Sequence, residues 1–215
     1  MLAPRKILVA IVLFLALSGC DSLTVDNPIG TSDGALGDSR LVGAWKLTAM
    51  QSKDASAEGT AYAFFLPRKE GGFNAVLVGW KRDNSESDYY ALKILTGQAG
   101  SSNFLNVVPI VDDGKVEDKM DGYWPVLYRI DGNGFLQTYK LSDDGLKFVE
   151  SAINDHRLGG AVTKHELYRD AKGVASESTE IEITADQKSL DAFFAANASR
   201  IFTEPLYTFK RADLR

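Results

Sequence analysis

Cysteine is almost absent from this chain: Cys20 is the only one among 215 residues. No internal disulfide can form, so the fold has to rest on its core alone. Histidine is nearly as scarce, with only His156 and His165. Clustered Cys and His ligands of the zinc kind are therefore missing, and no metal or cofactor is expected. Neither a Gly-x-Ser-x-Gly elbow nor a phosphate-cradling glycine loop occurs. With no nucleophile–base or acid pair to nominate, the chain reads as a non-enzyme, without catalytic residues. His165 falls on an expected strand and His156 near a helix end; a shared site is open to them, but nothing in the spacing requires one. Runs of basic residues are missing too. The one long apolar run, Ile7 to Leu17, would span about 16 Å as a helix against roughly 30 Å of bilayer hydrocarbon.

That run is part of a three-zone start. Met1 to Lys6 carries Arg5 and Lys6 and no acid, the apolar stretch follows, and the small Ser18 and Gly19 lead to Cys20. This is the layout of a secretory signal. Leu17-Ser18-Gly19-Cys20 resembles the lipobox of bacterial lipoproteins at every position. The resemblance implies removal of residues 1–19, diacylglycerol on the Cys20 sulfur, and attachment to a membrane through that lipid. It also explains the isolated cysteine, whose thiol would be spent on the anchor. Two or three acyl chains, at about 0.8 kcal/mol per buried methylene, make release negligible. Asp21, directly after the cysteine, resembles the signal that keeps enteric-type lipoproteins at the periplasmic face of the inner membrane, with the outer membrane as the alternative.

Residues 20–39 are rich in Gly, Asp, Ser and Thr, and read as the lipidated terminus followed by a flexible tether. Nineteen residues of coil would span about 24 Å r.m.s.. Removal of 1–19 leaves 22 basic residues against 29 acids, a net charge of −7. Nucleic acid is disfavoured as a partner by that charge. Residues 40–215 are sufficient for one substantial core.

From Leu41 the pattern is β. Leu41, Gly43, Trp45 and Leu47 alternate with Val42, Ala44, Lys46 and Thr48; Tyr62, Phe64 and Leu66 share one face of a second strand. Further strands are expected over 73–81, 88–96, 104–110, 123–130, 135–141, 162–168, 179–184 and 206–211. Asp131-Gly132-Asn133-Gly134 is a hairpin signal. Its superficial likeness to a calcium loop fails, because Ser142 stands where the twelfth-position Glu belongs. Two helices interrupt the strands. Asp144 is a candidate cap for one ending near His156 and Arg157, with Leu146, Val149 and Ile153 on one face. Thr184 and Gln187 have capping-box spacing for a second and clearer helix, striped by Leu190, Phe193, Phe194, Ala198 and Ile201 and stopped by Pro205.

The expected class is mostly β (α+β): either a curved antiparallel sheet or sandwich with two helices, or a closed barrel. Gly43-Ala44-Trp45 on the first strand, antiparallel strands, then a helix and a closing strand resemble the lipocalin-like (calycin) barrels. That resemblance implies a tryptophan packed across the closed end. The helix near 144–157 departs from the simple up-and-down order.

Aromatic residues carry the remaining signal. Most belong in a core, but Trp45, Trp80, Tyr123 and Trp124 are the candidates for a ligand-lining or partner-binding surface. Pro125 marks an edge or bulge beside the last two. A closed sheet would hold an apolar small molecule; an open one would dock an envelope protein through exposed aromatics. The expected role is a membrane-anchored, non-enzymatic binding domain, or an accessory subunit acting through protein contacts.

Overall fold

The computed structural model describes residues 22–30, 37–51, 53–54, 59–81, 87–109, 122–169 and 175–213. Cys20, Asp21 and the apolar run before them lie outside the described residues.

Eight strands close into an antiparallel barrel. They are β2 (Gly43–Met50), β4 (Gly59–Pro67), β5 (Phe73–Lys81), β6 (Ser87–Ala99), β7 (Ser102–Pro109), β8 (Trp124–Ile130), β9 (Phe135–Lys140) and β12 (Glu204–Arg211). Each pairs with the next in that order, and β12 returns to pair with β2. The two-residue β3 (Lys53–Asp54) extends the end of β2. Closure removes the open edges that a curved sheet would expose.

Period-two alternation fills the interior. Ala61, Ala63 and Phe65 on β4 point inward while Tyr62, Phe64 and Leu66 point out; Phe73, Ala75 and Leu77 do the same on β5. On β12 the register slips between Pro205 and Tyr207 against β9, and both Leu206 and Tyr207 reach the core. The β8–β9 turn is the one expected from its sequence. Asp131 Oδ1 accepts from the backbone N–H groups of Asn133 (2.9 Å) and Phe135 (2.8 Å), and Gly134 takes a φ of 77°.

A second layer covers the outside of β7, β8 and β9. It contains β1 (Ser22–Val25), β10 (Gly160–Arg169) and β11 (Ala175–Ile183), ordered β1-β11-β10, with helices α1 (Asp143–Asn154) and α2 (Gln187–Ile201). Phe104 and Leu127 face this layer from the barrel, whereas Leu105, Val107, Val126 and Tyr128 on the same strands face the interior. Burial on both faces explains why 104–109 and 124–130 are almost continuous apolar runs. Phe104, Phe194 and Phe202 pack edge-on or tilted with centroids 5.7–6.1 Å apart, and Phe193 stacks on Phe148 of α1 at 5.9 Å.

Both helices begin away from their expected caps. Ser142, not Asp144, caps α1 through its Oγ, which accepts from Gly145 N–H (3.1 Å). Asp186, two residues past Thr184, caps α2 by accepting from Ser189 N–H (3.1 Å). In each case the side chain one turn before the first apolar stripe residue faces an unpaired amide, and a nearby polar residue cannot substitute from one or two positions away.

The larger departure is at the start of the domain. Residues 22–30, expected as part of a flexible tether, are built into the fold. Ser22–Val25 run parallel to β11, and Val25 exchanges two backbone bonds with Tyr123 (3.0 and 2.8 Å). Leu23, Val25 and Ile29 are buried. Three apolar residues among polar ones suffice because they fill gaps between the two layers, where each removes its whole side chain from water.

Candidate functional site

The barrel has one sealed end. The short 3₁₀ turn Ser39–Leu41 crosses it, with Leu41 fully buried and Trp45 beneath. The Trp45 indole N–H donates to Leu41 O (2.7 Å), and the Arg211 guanidinium lies over the indole at 4.4 Å from a ring centroid. Arg211 also donates to Val42 O (2.9 Å) and to Arg40 O, tying β12 to the turn. Next to this, Tyr128 O–H donates to Asp38 Oδ2 (2.8 Å), which also pairs with Arg40 (2.7 Å). Burial pushes the Asp38 carboxyl up, but the hydrogen bonds from Arg40 and Tyr128 outweigh it and hold the group below its ordinary value. Burial first, and the Asp38 hydrogen bond second, push the Tyr128 phenol up.

Above the seal the interior is hollow. A cavity of about 70 Å³ is lined by Ala63, Ala75, Leu92, Val107, Leu136 and Leu206 among others. Small residues on β4 and β5 leave the space, since Ala63 and Ala75 face inward where larger groups would close it. The polar atoms of the lining belong to Thr138, Tyr90 and Tyr207. Thr138 Oγ1 is bonded to the backbone of Tyr207, accepting from its N–H at 3.1 Å. Burial pushes the Tyr207 phenol up, so it stays neutral. Among the described residues no Lys, Arg, His, Asp or Glu lines the cavity.

The four aromatic candidates do not share one surface. Trp45 belongs to the sealed end. Trp124 packs on the interior cluster at the opposite end, whereas Tyr123, its neighbour in sequence, packs between the barrel and the second layer. Trp80 lies outside, edge-on to Tyr62 at 6.2 Å. Pro125 is buried in β8 opposite Asn106, in the stretch before β9 joins at Leu127. Missing its N–H costs nothing there.

Trp80 is part of a wider outward face that sequence reading divided among separate strands. Tyr62 is in register with Val78 and Tyr89, and Phe64 with Val76 and Ala91. Leu66 is 51% and Tyr89 69% exposed. The two histidines stand apart from the cavity: exposed His165 is 3.4 Å from Glu180 on β11, and His156 occupies the turn after α1 with a φ of 58°. Among the described residues no three His, Cys, Asp or Glu side chains gather as a metal site, and no helix is long and apolar enough to cross a membrane.

Sequence reading missed Asn106. It is fully buried on the outer face of β7. Its Oδ1 accepts from Ile29 N–H (2.8 Å), and its Nδ2 donates to Ile29 O (3.1 Å) and Leu95 O (3.3 Å). One amide thus imitates a neighbouring strand for residue 29. A lone polar residue inside the apolar run 104–109 was the available signal.

No match emerges. Comparison with models of known protein families, with curated proteins and with solved structures finds nothing similar to this chain.

Proposed function

We propose that this protein is a membrane-anchored lipoprotein of the cell envelope whose lipocalin-like barrel binds a small, uncharged apolar molecule without chemically changing it. The observation that carries the reading is the hollow between the sealed end and the Thr138–Tyr207 level. It is lined by apolar side chains and lacks a counter-charge. An apolar group would shed its hydration there, while a carboxylate or ammonium would lose several kcal/mol of hydration with no partner to offset it. Cleavage before Cys20 and acylation of its sulfur would place the binding domain at a membrane, with Asp21 favouring the periplasmic face of the inner one.

The test is native mass spectrometry and organic extraction of the full chain purified from a bacterial envelope, beside Ala75→Leu. A stoichiometric neutral apolar molecule in the wild type, lost in Ala75→Leu, is the expected result. For added probes, a short-chain alkanol should bind more tightly at neutral pH than the carboxylic acid of equal length. Failure of the wild type to retain or take up any apolar molecule would overturn the reading. A second reading, an accessory subunit working through protein contacts, is favoured by the outward stripe of Tyr62, Phe64, Leu66, Trp80 and Tyr89. Under it, Tyr89→Lys would release an envelope partner and leave the cavity's occupancy unchanged.

A further inference from the structure

Only one residue, Asp21, separates Cys20 from the first strand. Two peptide steps reach at most about 7–8 Å. A nineteen-residue coil, by contrast, would average about 24 Å. Nothing beyond Ser22 supplies slack, because residues 22–30 are fastened throughout. Besides the β11 pairing, the Tyr123 bridge and the Asn106 clamp, Asn27 Nδ2 donates to Ala185 O (3.3 Å) and Pro28 O accepts from Gln187 Nε2 (3.0 Å). Gly30 N–H donates to Asp191 Oδ1 on α2 (2.6 Å).

We infer that the domain is not suspended above the bilayer but seated on it, with the Ser22 end of the β1-β11-β10 sheet against the lipid headgroups. The inference rests on the proposed acylation of Cys20. The surface it brings to the membrane is set by register. Ser22 lies opposite Glu180, and Glu180 opposite Thr163; the next rows outward are Thr179 with Lys164 and Ser178 with His165. Thr163, Lys164, His165 and Glu180 are exposed and polar, with both signs of charge. Such a surface suits the headgroup layer and not the hydrocarbon beneath it. The far side of the molecule is equally defined. β1 bridges to Tyr123, the residue just before β8, and β4 is four strands from β8 in either direction around the barrel. Leu66 on β4 therefore faces away from the bilayer.

If acylation consumes the only native thiol, any introduced cysteine becomes a unique label site. Full-length Thr163→Cys and Leu66→Cys chains, produced with lipid in a bacterial host, would be spin-labelled. They would then be reconstituted in phosphatidylethanolamine–phosphatidylglycerol vesicles doped with a nickel-chelating lipid. Relaxation by headgroup nickel should be several-fold greater at position 163 than at 66. Ten Gly/Ser residues inserted between Asp21 and Ser22 should erase the difference. Metabolic palmitate labelling, with Cys20→Ser as control, separates the two claims. Label lost in the control but equal relaxation at 163 and 66 overturns the seating alone. No palmitate on the wild type, or label persisting in Cys20→Ser, overturns the anchor and the seating with it.

Discussion

Replacing Asn106 tests whether residues 22–30 are a structural part of the domain. Asn106→Ala removes three hydrogen bonds and leaves the Ile29 N–H buried, since Ile29 is fully shielded from solvent. An orphaned buried donor costs about 1–3 kcal/mol, and each of the two lost carbonyl contacts adds about 0.5–1.5 kcal/mol less whatever water recovers. The expected loss is about 2–4 kcal/mol. With a urea m-value of about 2–3 kcal/mol/M, that lowers the unfolding midpoint by roughly 1 M. Hydrogen exchange at Ile29 should accelerate further than at Leu105 in the barrel wall. Asn106→Asp sharpens the test. At neutral pH its carboxylate can still accept from Ile29 but confronts the carbonyls of Ile29 and Leu95, so its pKa rises in the folded state. Stability of that variant should be greatest below about pH 4, where the unfolded carboxyl is protonated, and fall as pH rises through the folded value. A loss below about 0.5 kcal/mol in Asn106→Ala, with unchanged exchange at Ile29, would refute the reasoning.

Two further outcomes follow from the same structure. Asp38 is held below its ordinary pKa, so its contribution is present above about pH 4 and is lost as pH falls through the lower folded value. Asp38→Asn should cost about 1 kcal/mol at neutral pH in thermal or urea unfolding, with the gap to wild type closing in acid. At Gly97 a methyl group would meet Ile29 O at 2.0 Å and Gly30 C at 2.6 Å. Gly97→Ala should cost about 1–3 kcal/mol and expose residues 22–30 to limited proteolysis before the barrel itself is cut.

The barrel's strands were legible because one face of β4, β5 or β6 meets solvent and the other does not, giving Ala63–Phe65 and Tyr62–Phe64 their alternation. The helix stripes were legible for the same reason at a different period. Closure was offered only as one of two alternatives, through the lipocalin-like resemblance, because it depends on β12 meeting β2, a pairing across about 160 residues that no local pattern encodes. The role of β1 was hidden by its surroundings. Leu23 and Val25 do alternate, but four residues between Asp21 and Asp26 are outweighed by neighbouring polar composition, and their partners lie in β11 and at Tyr123, just before β8. At the site, Tyr123 and Trp124 resembled one aromatic patch. Consecutive strand residues point to opposite faces, so a patch of adjacent residues was the arrangement a strand could not supply. The hollow is legible only in three dimensions, because Ala63 and Ala75 are ordinary strand residues until the opposite wall is known.

The seam between β2 and β12 also fixes an order of events. Arg211 covers Trp45 and binds the turn beside it, so the sealed end cannot be completed until β12 has been made and has docked on β2. Until then β2 and β9 each lack a neighbour, and the interior apolar residues have no closed wall around them. Such long-range closure is slow compared with hairpin formation. If the chain is exported as proposed, this delay keeps it threadable for as long as β12 is withheld. The same delay makes loss of β12 a failure of a particular kind: not a weaker barrel, but an open sheet with two adhesive margins.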